Sequence, residues 1–322
     1  MKKRTLIFLI ITVIFVFTGC SKKQDSTAVI NIASLKGPTS IGLVKLYNDS
    51  DDNKTELKYN YSICATADEI ATMLIKGELD AAAIPANLAA ILNKKTDGKV
   101  RIAGINTLGV LYILTKGTDI SDIAELKGTT IYSTGQGTTP EYTLRHILSS
   151  NGLDPDKDVN IEYYKEASEI ASKMVSEKSA IAMLPEPYVE VVKANDANVK
   201  VALRLNDEWH KIHPGSNIVT GVIVVSEDFI NNNRKAFDTF MKEYRTSTEY
   251  TKTNTNECAD LVEKLGIFKA SVAKKAIPDC NIVFINDKSV KQYLDEYFGV
   301  LFEENKASVG GQIPSDDAYF LS

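Results

Sequence analysis

Four short stretches of this 322-residue chain hold the residue types that could grip a small molecule. Lys36-Gly37-Pro38-Thr39 sets a cation beside a glycine that permits close backbone approach and a proline suited to a first helical turn. Pro85-Ala86-Asn87 offers an amide, and Gly135-Gln136-Gly137-Thr138-Thr139-Pro140 repeats the glycine-then-proline pattern, with Thr139 a candidate cap for a helix opening at Pro140. Pro185-Glu186-Pro187-Tyr188 adds a carboxylate that can accept from a ligand amine and a ring that can stack on a planar solute. Each has a plainer reading: Lys36 as a solvated side chain, Asn87 and Glu186 as helix caps, Tyr188 and Tyr112 as core. Gly135-Gln136-Gly137 is a loop, since Pro140 replaces the last glycine of a dinucleotide fingerprint.

Other reactive residue types are sparse. Three histidines, His146, His210 and His213, support no Ser-His-Asp or Cys-His arrangement by spacing, so no catalytic residue is expected. His210 and His213 share a helical spacing near Asp207 and Glu208, but Pro214 follows and no third His or Cys adjoins them; neither metal nor cofactor is expected. Beyond Cys20 stand Cys64, Cys258 and Cys280, an odd number that permits one internal disulfide at most. Cys258 with Cys280 is the nearer pair, and three free thiols is the other reading.

The four stretches sit where short apolar runs give way to helical patterns. Strands are expected at 28–34, 57–64, 81–84 and 100–106, and again at 129–133, 159–164, 180–184 and 199–203. Helices are expected between them at 40–48, 67–76, 86–93, 140–150, 167–176 and 186–194. Such alternation implies an α/β protein with parallel sheets. The two series echo each other at a spacing of 100: residues 67–85 share six identities in nineteen with 167–185, Ala67-Asp68-Glu69-Ile70-Ala71 matching Ala167-Ser168-Glu169-Ile170-Ala171. Two lobes of like architecture are the expectation. Apolar runs at 109–116 and 218–225 lie where the chain would cross between lobes, making two hinge strands. Lobe 1 is then 28–112 plus 222–322, ending in a helical C-terminal tail packed on that lobe, and lobe 2 is 113–221.

Met1-Lys2-Lys3-Arg4, an apolar run from Leu6 to Phe17 and Thr18-Gly19-Cys20 have the form of a secretory signal, and Gly19-Cys20 resembles the lipobox of bacterial lipoproteins. The run is too short to span a bilayer. The reading is a signal peptide at 1–19, a lipidated Cys20 and a linker through 27. Without Lys2, Lys3 and Arg4 the 37 basic residues fall to 34 against 42 acidic, a net charge of −8, which with no basic cluster disfavours a nucleic-acid partner.

With Lys76-Gly77-Glu78-Leu79-Asp80, Leu126-Lys127-Gly128-Thr129-Thr130-Ile131 and Val219-Thr220-Gly221-Val222 in that order, the chain resembles the solute-binding lipoproteins of ABC importers, closest to the subgroup for sulfonates, nitrate and thiamine-related pyrimidines. The resemblance implies a two-lobed periplasmic-binding-protein fold of type II character and a receptor lipid-anchored on the extracytoplasmic face. It implies a monomer that closes on a small solute and delivers it to a permease and its ATPase. Lys36, Gly37, Pro38, Thr39, Asn87, Gln136, Gly137, Thr138, Thr139, Glu186 and Tyr188 are the expected contacts. Glu186 and the tyrosines favour an aminopyrimidine or similar planar nitrogen heterocycle; the two glycine-containing helix starts and Lys36 suit a sulfonate or nitrate instead. Enzymes of pyrimidine synthesis and of the menaquinone pathway share the fold, so an enzyme is the alternative of a different class; a lipid anchor argues against it. A surface adhesin or sensor is a third.

Overall fold

The computed structural model describes residues 28–321. The signal-like segment and Cys20 lie outside the described residues. The first series runs β1 (Val29–Leu35), α1 (Pro38–Ile41), α2 (Val44–Asp51), β2 (Lys58–Cys64), α3 (Ala67–Ile75), β3 (Ala81–Pro85), α4 (Ala86–Lys95) and β4 (Val100–Leu108). Strand β5 (Leu111–Lys116) leads into the second: β6 (Thr130–Thr134), α5 (Thr139–Ser150), β7 (Asn160–Tyr164), α6 (Ala167–Ser176), β8 (Ala180–Pro185), α7 (Tyr188–Asn195), β9 (Lys200–Arg204) and α8 (Leu205–Ile212). Strand β10 (Val219–Ser226) opens the tail of α9 (Glu227–Asn232), α10 (Arg234–Thr253), α11 (Thr255–Lys264), α12 (Ala270–Ala276), β11 (Ile282–Ile285) and α13 (Ser289–Glu304).

Two sheets result, ordered β11-β4-β10-β3-β1-β2 and β7-β6-β8-β5-β9. Apart from β11 they share one plan: β6, β7, β8 and β9 stand where β1, β2, β3 and β4 do, and each series takes one strand at the position next to its third. The local reasons repeat as well. Thr66 accepts from the Glu69 backbone N–H to start α3, and Glu166 with Glu169 forms a capping box for α6. Ile70 and Leu74 then bury one face of α3, as Ile170 and Met174 do in α6. Strands β3 and β8 are buried on both faces, which is why they read as unbroken apolar runs.

The sheets are mixed rather than parallel. β1, β2 and β3 pair in parallel, as β6 does with β7 and β8, but β10 runs antiparallel to β3 and β4, and β5 antiparallel to β8 and β9. The two crossing strands enter each sheet from the opposite direction. The helix expected over 40–48 is broken in two, because Ser247 of α10 donates to the Gly42 carbonyl at 2.7 Å and accepts from the Leu46 N–H at 3.0 Å. The tail packs on the first sheet through α10 and β11, but α12 lies against α7 and α13 against α5 of the second lobe. Cys64, Cys258 and Cys280 are buried free thiols, so Cys258 and Cys280 are not joined. Both pack as small hydrophobes beside Ile41, Val262 and Ile267. Among the described residues no helix is long and apolar enough to cross a membrane.

Candidate binding cleft

The carboxyl ends of β1, β3, β6 and β8 converge on one cleft of about 610 Å³. All four stretches singled out by sequence line it: Lys36, Gly37, Pro38 and Thr39 from the β1–α1 turn, Asn87 from α4, Gly137, Thr138 and Thr139 from the β6–α5 loop, and Glu186 and Tyr188 after β8. Gln136 is exposed on that loop and is not among the lining residues, and Tyr112 is buried in core with its hydroxyl donating to the Asp279 carbonyl at 2.7 Å. The walls are mainly apolar, from Leu35, Leu88, Ile91, Leu111, Pro140 and Phe268.

Glu186 is the outstanding polar group. It is 2% exposed, and its Oε2 has no hydrogen-bond partner. Burial, and then the neighbouring Glu190 carboxylate, push its carboxyl up to about 8, against a lowering hydrogen bond from the Glu190 backbone N–H. Glu190 itself is paired with Lys193. An unpartnered buried carboxyl oxygen costs free energy unless something supplies a donor. Next to it Tyr188 meets Phe268 edge to face, with ring centroids 5.4 Å apart.

Asn87 and Thr139 spend their polar atoms on each other: Thr139 Oγ1 donates to Asn87 Oδ1 at 2.9 Å, while Asn87 Nδ2 reaches the Ser308 carbonyl at 3.4 Å. Helix α5 begins at Thr139 rather than Pro140, and its flanking residue Thr138 makes no side-chain cap. The Gly137 N–H donates instead to Glu141 Oε2 at 2.5 Å, so a carboxylate already occupies the positive end of α5. At the first turn Gly37 adopts φ 138°, open only to glycine, and Thr39 and Ser40 donate their hydroxyls to the Leu35 carbonyl at 2.8 and 2.7 Å.

Sequence reasoning missed Ala65, Asp68, Lys165, Thr220 and Phe268. Ala65 and Lys165 follow β2 and β7 and stand 100 residues apart, so the carboxyl-end rule applied to those two junctions finds them. Phe268 lies between α11 and α12, remote in sequence and without a local signal. The histidines lie elsewhere. His210 Nε2 is 3.1 Å from Asn217 Oδ1, and His213 Nε2 is 2.8 Å from His146 Nε2 rather than sharing a site with His210. No group of three or more metal-binding side chains converges among the described residues.

Residues 43–265 match the sequence pattern of the NMT1-like family. The chain belongs to that family. This NMT1-like protein has the two-lobed fold of periplasmic binding proteins. It superposes with a TM-score of 0.76 on an ABC transporter from Parabacteroides distasonis, 23% identical, over 91% of this chain and 98% of that one. The periplasmic aliphatic sulphonate binding protein SsuA from Escherichia coli gives a TM-score of 0.71 at 14% identity, covering 90% and 93%. The periplasmic nitrate-binding protein NrtA from Synechocystis gives 0.60 at 13%, covering 91% and 84%. None of the curated proteins matches this chain in sequence.

Proposed function

We propose that this NMT1-like protein is the solute-binding component of an ABC importer, and that its solute carries an N–H donor or cationic nitrogen on a planar ring, an aminopyrimidine being the simplest case. The observation that carries the reading is Glu186: a carboxyl with one unpartnered oxygen, buried at the edge of an apolar cleft, offers an acceptor to a nitrogen donor and can ionise to meet a cationic nitrogen. Tyr188 and Phe268 give the ring an aromatic wall. Lys36 and Lys165 line the same cleft and favour an oxyanion such as a sulfonate, but both are exposed, and Glu141 already accepts from the Gly137 N–H that an anion at the start of α5 would use.

The two lobes, 28–112 with 222–322 and 113–221, close on the solute, because contacts from both favour the closed form only to the extent that the ligand binds it better. The signal peptide at 1–19 and lipid on Cys20 place the receptor outside the cytoplasm as a monomer delivering to a permease and its ATPase. A thermal-shift screen of residues 21–322 with 4-amino-5-hydroxymethyl-2-methylpyrimidine, ethanesulfonate and nitrate tests the reading. Ligand at about 100 times its Kd adds about 2.7 kcal/mol, a shift of several degrees. A shift with ethanesulfonate and none with the pyrimidine refutes the choice of solute, and chemical conversion of the pyrimidine refutes the receptor.

A further inference from the structure

Thr139, Tyr142, Thr143 and His146 fall on one stripe of α5. Each meets a partner outside the second sheet. Thr139 bonds Asn87, Asn305 Nδ2 donates to the Tyr142 hydroxyl at 2.9 Å, Thr143 Oγ1 and the Tyr297 hydroxyl share a bond of 2.9 Å, and His146 Nδ1 lies 3.7 Å from Glu304 Oε1. Asn87 opens α4; Tyr297 and Glu304 are on α13, which packs on β10 of the first sheet, and Asn305 follows it. The stripe is therefore a seam between the second lobe and the first, with His146 at its far end.

His146 does not end there. Its Nε2 is 2.8 Å from His213 Nε2, and His213 Nδ1 lies 3.6 Å from Glu296 Oε1, also on α13. The ring centroids are 5.1 Å apart and the planes 22° apart. That separation is the N···N distance plus a ring radius at each end, so the two nitrogens meet head-on, the geometry of a shared proton. Two ligands on one metal ion would instead converge on a point to the side.

Counting protons decides what the row holds. Two neutral imidazoles bring two. One must lie between the Nε2 atoms, which leaves one Nδ1 lone pair facing a carboxylate. Three protons satisfy every contact, one toward Glu304, one shared and one toward Glu296. A fourth sets two N–H groups head-on at 2.8 Å, and the rings must part.

We propose that Glu304, His146, His213 and Glu296 form an acid-released clasp on the interlobe seam: charged once, the row fastens the second lobe to α13, and a further proton opens it. Burial and the facing His213 hold His146 down at about 4, so the last proton enters only in acid. The other groups facing the row leave this intact. Ser150 Oγ is 3.5 Å from His146 Nε2, the Trp209 and Tyr297 rings close the apolar side, and Arg145 is held by both oxygens of Asp156 at 2.8 and 2.9 Å. Burial also raises the Glu304 carboxyl.

Trp209 is the only tryptophan in the chain, and its ring centroid is 4.6 Å from His213 and 5.4 Å from His146, so a nearby imidazolium will quench it. The test is a titration of Trp209 emission from about pH 8 to 3.5 on the ligand-free protein, with far-UV circular dichroism and small-angle scattering alongside. The expected result is an emission step near pH 4 accompanied by a larger radius of gyration at unchanged helix content. His146→Gln removes the step, and His213→Gln moves it up toward the ordinary histidine range. Should His146→Gln disturb folding, Glu304→Gln, on a partly exposed carboxylate, moves the step down. A step that persists in His146→Gln, one that coincides with loss of helix, or an unchanged radius across it overturns the clasp.

Discussion

Replacing Glu186 by Gln keeps the shape of the side chain and removes its charge, so it isolates what burying that carboxylate costs. Burial, and then the Glu190 carboxylate, push the native carboxyl up to about 8 from an ordinary value of 4.5. At about 1.36 kcal/mol for each tenfold change in the ionisation equilibrium, a rise that large puts the cost of the ionised form at up to about 5 kcal/mol. The sign follows from proton counts. Between about pH 4.5 and 8 the folded protein holds this proton and the unfolded chain does not, so stability falls as pH rises and the loss is complete above 8. The Glu186→Gln protein has no such dependence from this position, although the new amide N–H₂ replaces the unpartnered oxygen and costs about 1–3 kcal/mol at every pH. The ligand-free variant is therefore the less stable protein at about pH 5 and the more stable at about pH 8.5. Urea unfolding of both proteins from about pH 5 to 9 reads the difference directly, and groups titrating alike in both cancel. A difference constant to within about 0.5 kcal/mol would show that Glu186 ionises in the fold as it does in water, and the account of the cleft would lose its basis.

Asn87→Ala leaves the Thr139 hydroxyl and the Ser308 carbonyl without their partner and should lower stability by about 1–3 kcal/mol in urea unfolding while enlarging the ligand-free scattering envelope; an unchanged envelope would mean that the bond does not hold the lobes together. Gly221→Ala places a Cβ 2.5 Å from both Asn106 Oδ1 and Thr39 Cγ2, and the predicted loss is about 1–3 kcal/mol in the urea midpoint; a loss within experimental error would contradict the close passage of β10 beneath the first cleft loop. Thiol titration of residues 21–322 should find no reactive cysteine in the native protein and three after unfolding without reductant; one thiol instead of three would mean that Cys258 and Cys280 are joined after all.

Much of this was legible because the same local physics is written twice. The capped starts of α3 and α6 and the buried runs of β3 and β8 recur 100 residues apart, and a rule placing ligands beyond strand carboxyl ends then picks out four of the turns that line the cleft. What failed were statements about partners distant in sequence. Alternation announced parallel sheets, but the direction of β5 and β10 depends on how a crossing strand enters its sheet, which no local pattern encodes. The same limit hid the α1–α2 break, imposed by Ser247 about two hundred residues away, and the wall contributed by Phe268. Asn87 and Thr139 were correctly placed at the cleft, yet their hydrogen-bonding capacity is spent across the lobes, a pairing visible only once both lobes are in place. His213 was weighed with His210 because three residues separate them, whereas the fold turns His210 toward Asn217 and brings His146 to meet its neighbour.

The central claim is that Glu186 selects a nitrogen donor over an oxyanion, and calorimetric titration of the wild-type protein and Glu186→Gln with 4-amino-5-hydroxymethyl-2-methylpyrimidine and with ethanesulfonate tests it most directly. The account predicts that the wild type binds the pyrimidine, that Glu186→Gln weakens it at least about tenfold, as loss of a charge-assisted hydrogen bond of about 1.5–3 kcal/mol requires, and that ethanesulfonate gives no heat with the wild type. Ethanesulfonate binding by the wild type, or pyrimidine binding that Glu186→Gln leaves unchanged, would contradict it.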